Sequence, residues 1–150
     1  MTRAEKAEKY FYEGYACSQS VALAFVDLTN VSFSDMSKLS LPLGGGVARL
    51  RQTCGAITGM ALIVGLLFSD SEPSENNKLA IYERVRVLTD RFIAERSTIN
   101  CKELLEKASL EVEVGGVPEA RTSEYYKKRP CASIVYLAAK ILEEYLEKEM

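Results

Sequence analysis

Apolar side chains recur every three or four residues along most of the chain, which is the period of an amphipathic helix. Thr2 and Glu5 fit a capping box, so a first helix is predicted to run from there to about Glu13. A short helix is predicted after a cap at Ser34. The other predicted helices begin at or next to Cys17, Cys54, Glu75, Cys101, Thr122 and Cys131, and the helix from Glu75 runs to about Arg96.

Three of these segments have a clear predicted inward face. In the second helix the apolar positions are Val21, Ala24, Phe25 and Leu28. In the helix from Glu75 they are Leu79, Tyr82, Val85, Leu88, Phe92 and Ile93. In the last helix they are Ile134, Val135, Ala138, Ile141, Leu142 and Tyr145.

The most apolar segment, Cys54–Phe68, is predicted to be the central helix. Gly55 and Gly59 are four residues apart in it, and small residues at this spacing let another helix approach closely. The only alternating stretch, Leu110–Arg121, is too short for a sheet and is interpreted as a loop. The sequence therefore predicts an all-α fold, with residues 1–150 forming a single compact bundle of about five main helices and short extra helices.

A glycine run, Gly44–Gly46, is the main interruption of the helical pattern. Consecutive glycines permit positive φ angles and close approach of another backbone. A phosphate-binding loop would need a preceding strand and a following Lys-Ser/Thr pair, and the sequence has neither. The run is therefore either a tight connection between helices or a backbone lining for a functional site.

Composition narrows the class of protein. The chain has 150 residues, of which 47% are hydrophobic and 27% charged, and this composition is typical of a globular domain. A formal net charge of -2 argues against a nucleic-acid partner, since phosphate binding needs a basic patch. The densest basic run, Lys127–Arg129, is interpreted as a solvated loop.

The sequence predicts no membrane partner. Its longest apolar run, Cys54–Phe68, is shorter than the about 20 residues that a bilayer span needs. The N-terminal stretch MTRAEKAEKY is charged and lacks the apolar segment of a secretory signal. We therefore expect a cytoplasmic protein.

The chain has four cysteines and no histidine. The absence of histidine removes the usual general base near neutral pH, so Ser-His-Asp and Cys-His catalysis within this chain is excluded. Zinc sites that use histidine are excluded for the same reason. The remaining chemistry must come from thiols, carboxylates, amines or phenols.

Each cysteine falls at a predicted helix start, and Thr53 and Asn100 are good capping residues before two of them. Unpaired N–H groups and the positive end of the helix dipole stabilise a thiolate there, which lowers the pKa of the thiol. Arg49 and Arg51 could add positive charge near Cys54, and Lys102 near Cys101. The competing interpretation is packing, because free cysteine is among the most buried residue types.

No Cys-x-x-Cys motif is present, so any cluster of cysteines must be assembled by the tertiary fold. Four segments, YACSQSVALAF, LGGGVARLRQTCGAITGMALIVGL, STINCKELL and CASIVYLAAKIL, resemble in order and spacing the C_GCAxxG_C_C family of small bacterial and archaeal proteins. The resemblance extends from about Tyr10 to Leu142. It implies a compact helical domain and a redox or metal role for Cys17, Cys54, Cys101 and Cys131, with an iron–sulfur cluster suspected.

Three functions remain open from the sequence. The first is thiol–disulfide exchange or electron transfer, as in a thiol-dependent oxidoreductase, with Cys54 as the preferred attacking thiolate and a partner protein or small thiol as co-reactant. The second is binding of zinc or an iron–sulfur cluster by the four cysteines. The third is a non-catalytic interaction module, which could form a homodimer. For any bound cofactor we expect a backbone lining from Gly44, Gly45, Gly46 and Gly55.

Overall fold

The helical pattern of the sequence accounts for nearly all of the regular structure. A computed structural model describes residues 1–150 and contains eight α-helices and no β-strand, which confirms the all-α prediction. The helices are α1 (Arg3–Tyr12), α2 (Cys17–Leu23), α3 (Phe33–Ser40), α4 (Gly55–Phe68), α5 (Glu75–Arg96), α6 (Cys101–Lys107), α7 (Ser123–Lys128) and α8 (Cys131–Glu149). Single 3-10 turns occur at Val26–Leu28 and Leu41–Leu43.

Side-chain caps explain where several helices begin. At α1 the Thr2 hydroxyl accepts from the Glu5 amide at 3.1 Å, and the Glu5 carboxylate accepts from the Thr2 amide at 3.2 Å. This is the predicted capping box, which satisfies N–H groups that have no partner inside the helix. Ser74, Asn100 and Thr122 cap α5, α6 and α7 in the same way.

Two predicted boundaries were wrong. α2 ends at Leu23 instead of continuing towards Asn30, and Leu28 is 37% exposed instead of facing inward. The Arg3 guanidinium donates to the Ala24 carbonyl at 2.7 Å and pairs with Asp27, so this segment hydrogen-bonds to α1 and leaves the helical path. The cap of α3 is Ser32, not Ser34, because the Ser32 hydroxyl accepts from the Asp35 amide.

The core is one cluster of 27 buried residues to which most of the helices contribute. α8 packs against α1, and α2 packs against α4. The predicted inward residues of α8 are buried, with Tyr145 partly buried. We expect residues 1–150 to unfold as one unit because the cluster draws on both ends of the chain.

α5 buries a narrower stripe than the sequence predicts. Leu88 and Phe92 are fully buried, whereas Leu79, Tyr82 and Ile93 are exposed. α5 packs mainly on α4 and α8, and these contacts cover only part of its apolar surface. α4 is the most apolar helix, yet no helix in the protein combines the length and the apolar character of a bilayer span.

Gly59 allows the contact between α2 and α4 that the glycine spacing predicts. A Cβ at Gly59 would lie 2.8 Å from the Ser18 carbonyl oxygen, whereas a Cβ at Gly65 in the same helix would meet nothing within 4 Å. We therefore expect Gly59→Ala to lower the free energy of unfolding by about 2 kcal/mol. Gly65→Ala, the matched control, should raise it by about 0.5–1 kcal/mol through helix propensity. Urea unfolding measures both changes, and equal effects of the two variants would contradict the close packing.

Candidate functional site

All four cysteines lie at helix starts, as the sequence predicts, and all four are free thiols. Cys17, Cys101 and Cys131 are the first residues of α2, α6 and α8. Cys54 is itself the N-cap residue of α4. The predicted cap at Thr53 was therefore wrong.

Cys54 and Cys101 are held together by their backbones. Thr53 and Asn100 form an isolated antiparallel bridge. The Cys54 amide donates to the Ile99 carbonyl at 2.7 Å, and the Cys101 amide donates to the Gln52 carbonyl at 2.6 Å. The bridge joins segments that are remote in sequence and sets the starts of α4 and α6 side by side.

Cys17 and Cys131 form a second pair. α2 packs against α8, and the two half-buried cysteines are the first residues of these helices. This packing brings the two sulfurs close together, and a hydrogen bond between them is the largest influence on the pKa of each. Two neighbouring cysteines can form a disulfide with each other when another disulfide accepts the two electrons.

Both pairs line one cavity of about 440 Å³. Its walls also include Gly44, Gly45, Gly46 and Gly55, the four glycines expected to line a cofactor. This volume lies in the range of about 300–1,000 Å³ that is typical of small-molecule sites. The fold therefore gathers every cysteine of the chain around a space large enough for a ligand.

The glycines bring backbone close to the cysteines. A Cβ at Gly46 would lie 2.7 Å from the Cys101 Cβ, and a Cβ at Gly55 would lie 3.0 Å from the Ser18 amide nitrogen and 3.3 Å from the Cys17 Cβ. Gly45 and Gly46 have φ angles of +67° and +70°, which glycine adopts without steric cost. Of the two interpretations of this run, the backbone lining of a site is the one that this geometry favours.

The loop after these glycines keeps a left-handed backbone. Val47, Ala48 and Arg49 have φ angles of 66°, 48° and 62°, and Arg51 has 60°. Non-glycine residues pay about 1–2 kcal/mol each for this conformation, and such strain clusters at functional sites. The result here is that two arginines of one loop, Arg49 and Arg51, both reach the cavity.

Arg51 contacts Cys101, not Cys54 as the sequence suggests. Its Nη1 lies 3.7 Å from the Cys101 Sγ, and its Nε donates to the Glu113 carbonyl at 3.0 Å. Lys102, which the sequence places beside Cys101, is exposed and does not line the cavity. The cation next to this thiol therefore comes from the glycine loop and not from α6.

Arg129 was predicted to be solvated, and this was wrong. Its side chain is only 11% exposed and pairs with Glu119 at 2.6 Å, whereas Lys128 beside it is 63% exposed. Arg129 lies two residues before Cys131 in the segment KKRPC, and it also stacks on the Tyr125 ring. Sequence alone does not separate it from its solvated neighbours, because its burial depends on the 110–122 loop.

Arg121 is a further cation that the sequence did not indicate. Its guanidinium donates to the Phe11 and Tyr15 carbonyls at 3.0 and 3.1 Å and stacks on the Phe11 and Tyr125 rings. Tyr125 lines the cavity, and burial raises the pKa of its phenol to about 12. These contacts tie the loop before α7 to α1 and place positive charge near Cys131.

The four thiols differ in acidity. The hydrogen bond from Cys17 lowers the pKa of Cys131 below the ordinary value of 9.0, and Arg129, Arg121 and Arg51 act in the same direction against burial. The same hydrogen bond, with burial, raises the pKa of Cys17 well above that value. Cys131 therefore loses its proton more readily than Cys17 does.

Burial dominates the other pair. It raises the pKa of Cys54 to about 12, and the N–H groups of Ala56 and Ile57 at the start of α4 offset only part of this effect. Burial also raises the pKa of Cys101 despite the nearby guanidinium of Arg51. A helix start is thus not sufficient to acidify a thiol when the sulfur is removed from water.

The residues do not fit a metal centre in this arrangement. No group of three or more cysteine, aspartate or glutamate side chains is positioned to hold a metal ion. Tetrahedral zinc and iron–sulfur clusters need sulfur ligands that converge on one centre. The metal alternative therefore has no support from this geometry and stays a prediction.

Comparison with known proteins identifies one relationship. The sequence model of the family described as "Putative redox-active protein (C_GCAxxG_C_C)" matches residues 15–145, a range that contains all four cysteines and the four glycines Gly44, Gly45, Gly46 and Gly55. Searches of curated proteins and of solved structures found no match. Since the match spans most of the chain, the protein belongs to the C_GCAxxG_C_C family.

Proposed function

We propose that this protein carries out thiol–disulfide exchange, with Cys131 as the attacking thiolate and Cys17 as the resolving thiol. The observation that carries the proposal is the placement of Cys17 and Cys131 on one cavity wall, each as the first residue of one of two packed helices. It pairs a cysteine whose pKa is lowered with one whose pKa is raised. Only the thiolate is a strong nucleophile, so the pair has two distinct roles.

The structure favours Cys131 over Cys54, the cysteine that the sequence suggested for the attack. Cys54 is 5% exposed and its pKa is raised to about 12, so almost no thiolate forms there near neutral pH. Cys131 is half-buried, lines the cavity and lies close to the guanidinium of Arg129. A disulfide that enters the cavity would meet Cys131, the one cysteine of the four whose pKa is lowered.

The reaction has two balanced steps. The Cys131 thiolate attacks one sulfur of a disulfide R–S–S–R, forms a Cys131–S–S–R bond and releases R–S⁻, which takes a proton from solvent. Cys17 then loses its proton and attacks the Cys131 sulfur, which forms the Cys17–Cys131 disulfide and releases the second R–S⁻. The protein gives up two electrons, and one disulfide becomes two thiols.

The second step is aided by the first. The pKa of Cys17 is raised mainly by its hydrogen bond to the Cys131 sulfur. Once Cys131 is part of a mixed disulfide it carries no negative charge, so this cause weakens and Cys17 ionises more readily. We expect the exchange to operate in the reducing cytoplasm, where a labile disulfide is more commonly functional than structural.

Mapping the cysteines after oxidation tests the proposal. The reduced protein is treated with a small disulfide, its remaining thiols are alkylated after unfolding, and the peptides are analysed by mass spectrometry. We expect one Cys17–Cys131 disulfide per chain, with Cys54 and Cys101 alkylated. The double variant C54S/C101S is the matched control and should form the same disulfide.

Two outcomes would contradict the proposal. One is four free thiols under oxidising conditions, and the other is a disulfide that joins a different pair. A stoichiometric metal after anaerobic purification, lost in Cys-to-Ser variants, would favour the metal alternative instead.

A further inference from the structure

The cavity is strongly positive although the protein is not. Four arginines and one glutamate line it, and no lysine or aspartate does. The whole chain carries a formal net charge of -2. Guanidinium groups are the side chains best suited to bind planar carboxylates, because they present paired N–H donors. Four arginines supply more positive charge than is required to stabilise the single thiolate of Cys131.

Glu119 shows what these arginines bind. Its carboxylate lies 2.6 Å from Arg129, 3.2 Å from Arg49 and 4.0 Å from Arg51. Burial alone would raise the pKa of Glu119, but its own backbone amide and these three arginines together lower it. The Glu119 side chain is 39% exposed at the edge of the cavity, so three guanidinium groups share a carboxylate that solvent still reaches.

Arg49 has an unmet hydrogen-bond donor. Its side chain is 9% exposed and lines the cavity. The Nε atom is buried and has no hydrogen-bond partner, although the terminal nitrogens contact Glu119 and the Val117 carbonyl. Buried guanidinium N–H groups are nearly always satisfied, so Arg49 is unusual in keeping one donor that no other group of the protein accepts from.

We propose that the cavity binds a small disulfide whose two halves carry carboxylate groups, and that the arginines hold these carboxylates while Cys131 attacks the sulfur. The inference rests on the proposed exchange and names its substrate class. A cavity of about 440 Å³ admits a small molecule and not a folded partner. The ligand carboxylate competes with Glu119 for the same guanidinium groups.

The co-reactant is thus a low-molecular-weight anionic disulfide, and the products are two anionic thiols. The protein is oxidised and the disulfide is reduced, with electrons and protons balanced as in the steps above. The positive cavity also stabilises the departing thiolate R–S⁻. The positive charge of the cavity therefore favours an anionic disulfide twice, when it binds and when Cys131 breaks its S–S bond.

Three disulfides of different charge provide the kinetic test. The reduced protein is mixed at low salt with oxidised glutathione (anionic), 2-hydroxyethyl disulfide (neutral) or cystamine (cationic), and formation of the Cys17–Cys131 disulfide is followed. Each rate is divided by the rate at which the same disulfide reacts with the free thiol of a small peptide, which removes differences in intrinsic reactivity. On this normalised scale we expect oxidised glutathione to react at least about tenfold faster than the neutral compound. Cystamine should be the slowest, and added salt should narrow the differences.

A binding measurement separates this inference from the proposed exchange. S-methylglutathione carries carboxylates but cannot exchange, so calorimetry with Cys131→Ser reports the anion site alone. R129Q in that background should weaken binding about tenfold. E119Q should strengthen it, because the competing carboxylate is removed. K128Q removes the same charge as R129Q from an exposed side chain and is the matched control, expected to change affinity less than about twofold.

Each result decides between the two claims. Equal normalised rates for all three disulfides would overturn the anion inference and leave the exchange standing. No reaction with any disulfide, together with charge-dependent binding of S-methylglutathione, would overturn the exchange and leave the anion site standing. Inorganic phosphate that binds as tightly as S-methylglutathione, or E119Q that weakens binding, would overturn the carboxylate assignment. Thermal melts of each variant confirm that the protein remains folded.

Discussion

Cys131→Ser is expected to slow the reaction with a small disulfide on the order of 1,000-fold or more, because a serine hydroxyl at this position is not ionised at neutral pH. Cys17→Ser should have a different effect. It leaves the attacking thiolate but removes the resolving thiol, so the mixed disulfide on Cys131 should accumulate. Mass spectrometry of the intact protein after timed quenching distinguishes the two variants.

Cys54→Ser is the control for this pair of variants, since Cys54 is buried and its pKa is raised to about 12. It should react within about threefold of the unchanged protein. A Cys54→Ser variant as slow as Cys131→Ser would assign the attack to Cys54 and contradict the proposed roles.

The pH dependence gives a second measurement on the same cysteine. The pKa of Cys131 is lowered, so its thiolate fraction rises with pH and reaches half of its maximum below pH 9.0, the ordinary thiol value. The alkylation rate of Cys131 should follow that curve, whereas Cys54 should still be gaining reactivity near pH 12. R129Q should move the Cys131 curve to higher pH because it removes a cation that favours the thiolate.

Gly46→Ala is expected to lower the free energy of unfolding by about 3 kcal/mol, the largest stability effect that we predict for a single methyl group. Two causes add. The φ angle of +70° is unfavourable for alanine. The alanine Cβ would also lie 2.6 Å from the Gln52 amide nitrogen and 2.7 Å from the Cys101 Cβ. The Gln52 atom belongs to the backbone of the bridged segment, so it cannot move aside cheaply.

Gly115→Ala isolates the cost of the positive φ angle, so the difference between the two variants measures the steric part. Gly115 has a φ angle of +73°, but a Cβ there would meet nothing within 4 Å. This variant should lose only about 1 kcal/mol. Chemical denaturation measures both, and a Gly46→Ala variant no less stable than Gly115→Ala would show that the loop does not pack tightly on Cys101. Gly46→Ala should also slow exchange, because the displaced loop carries Arg49 and Arg51.

The sequence by itself determined the helices and the position of every cysteine at a helix start. Both are local properties. A capping box such as that of Thr2 and Glu5 acts over three residues, and the apolar period of α8 acts over one turn of helix. No tertiary contact is needed to recognise either, which is why the predicted range of α5 matches the structure.

The tertiary structure alone decided which cysteines pair and which one is acidic. Cys17 lies beside Cys131 because α2 packs on α8. The start of α6, with Cys101, lies beside the start of α4, with Cys54, because one backbone bridge joins the two segments. The environment of each thiol then follows from remote segments. Arg129 is held by Glu119 of a loop that has no periodic signal, whereas Cys54 is almost completely buried at the wall of the cavity. Burial and charge set the pKa of a thiol, and both depend on packing between distant residues that no local pattern encodes.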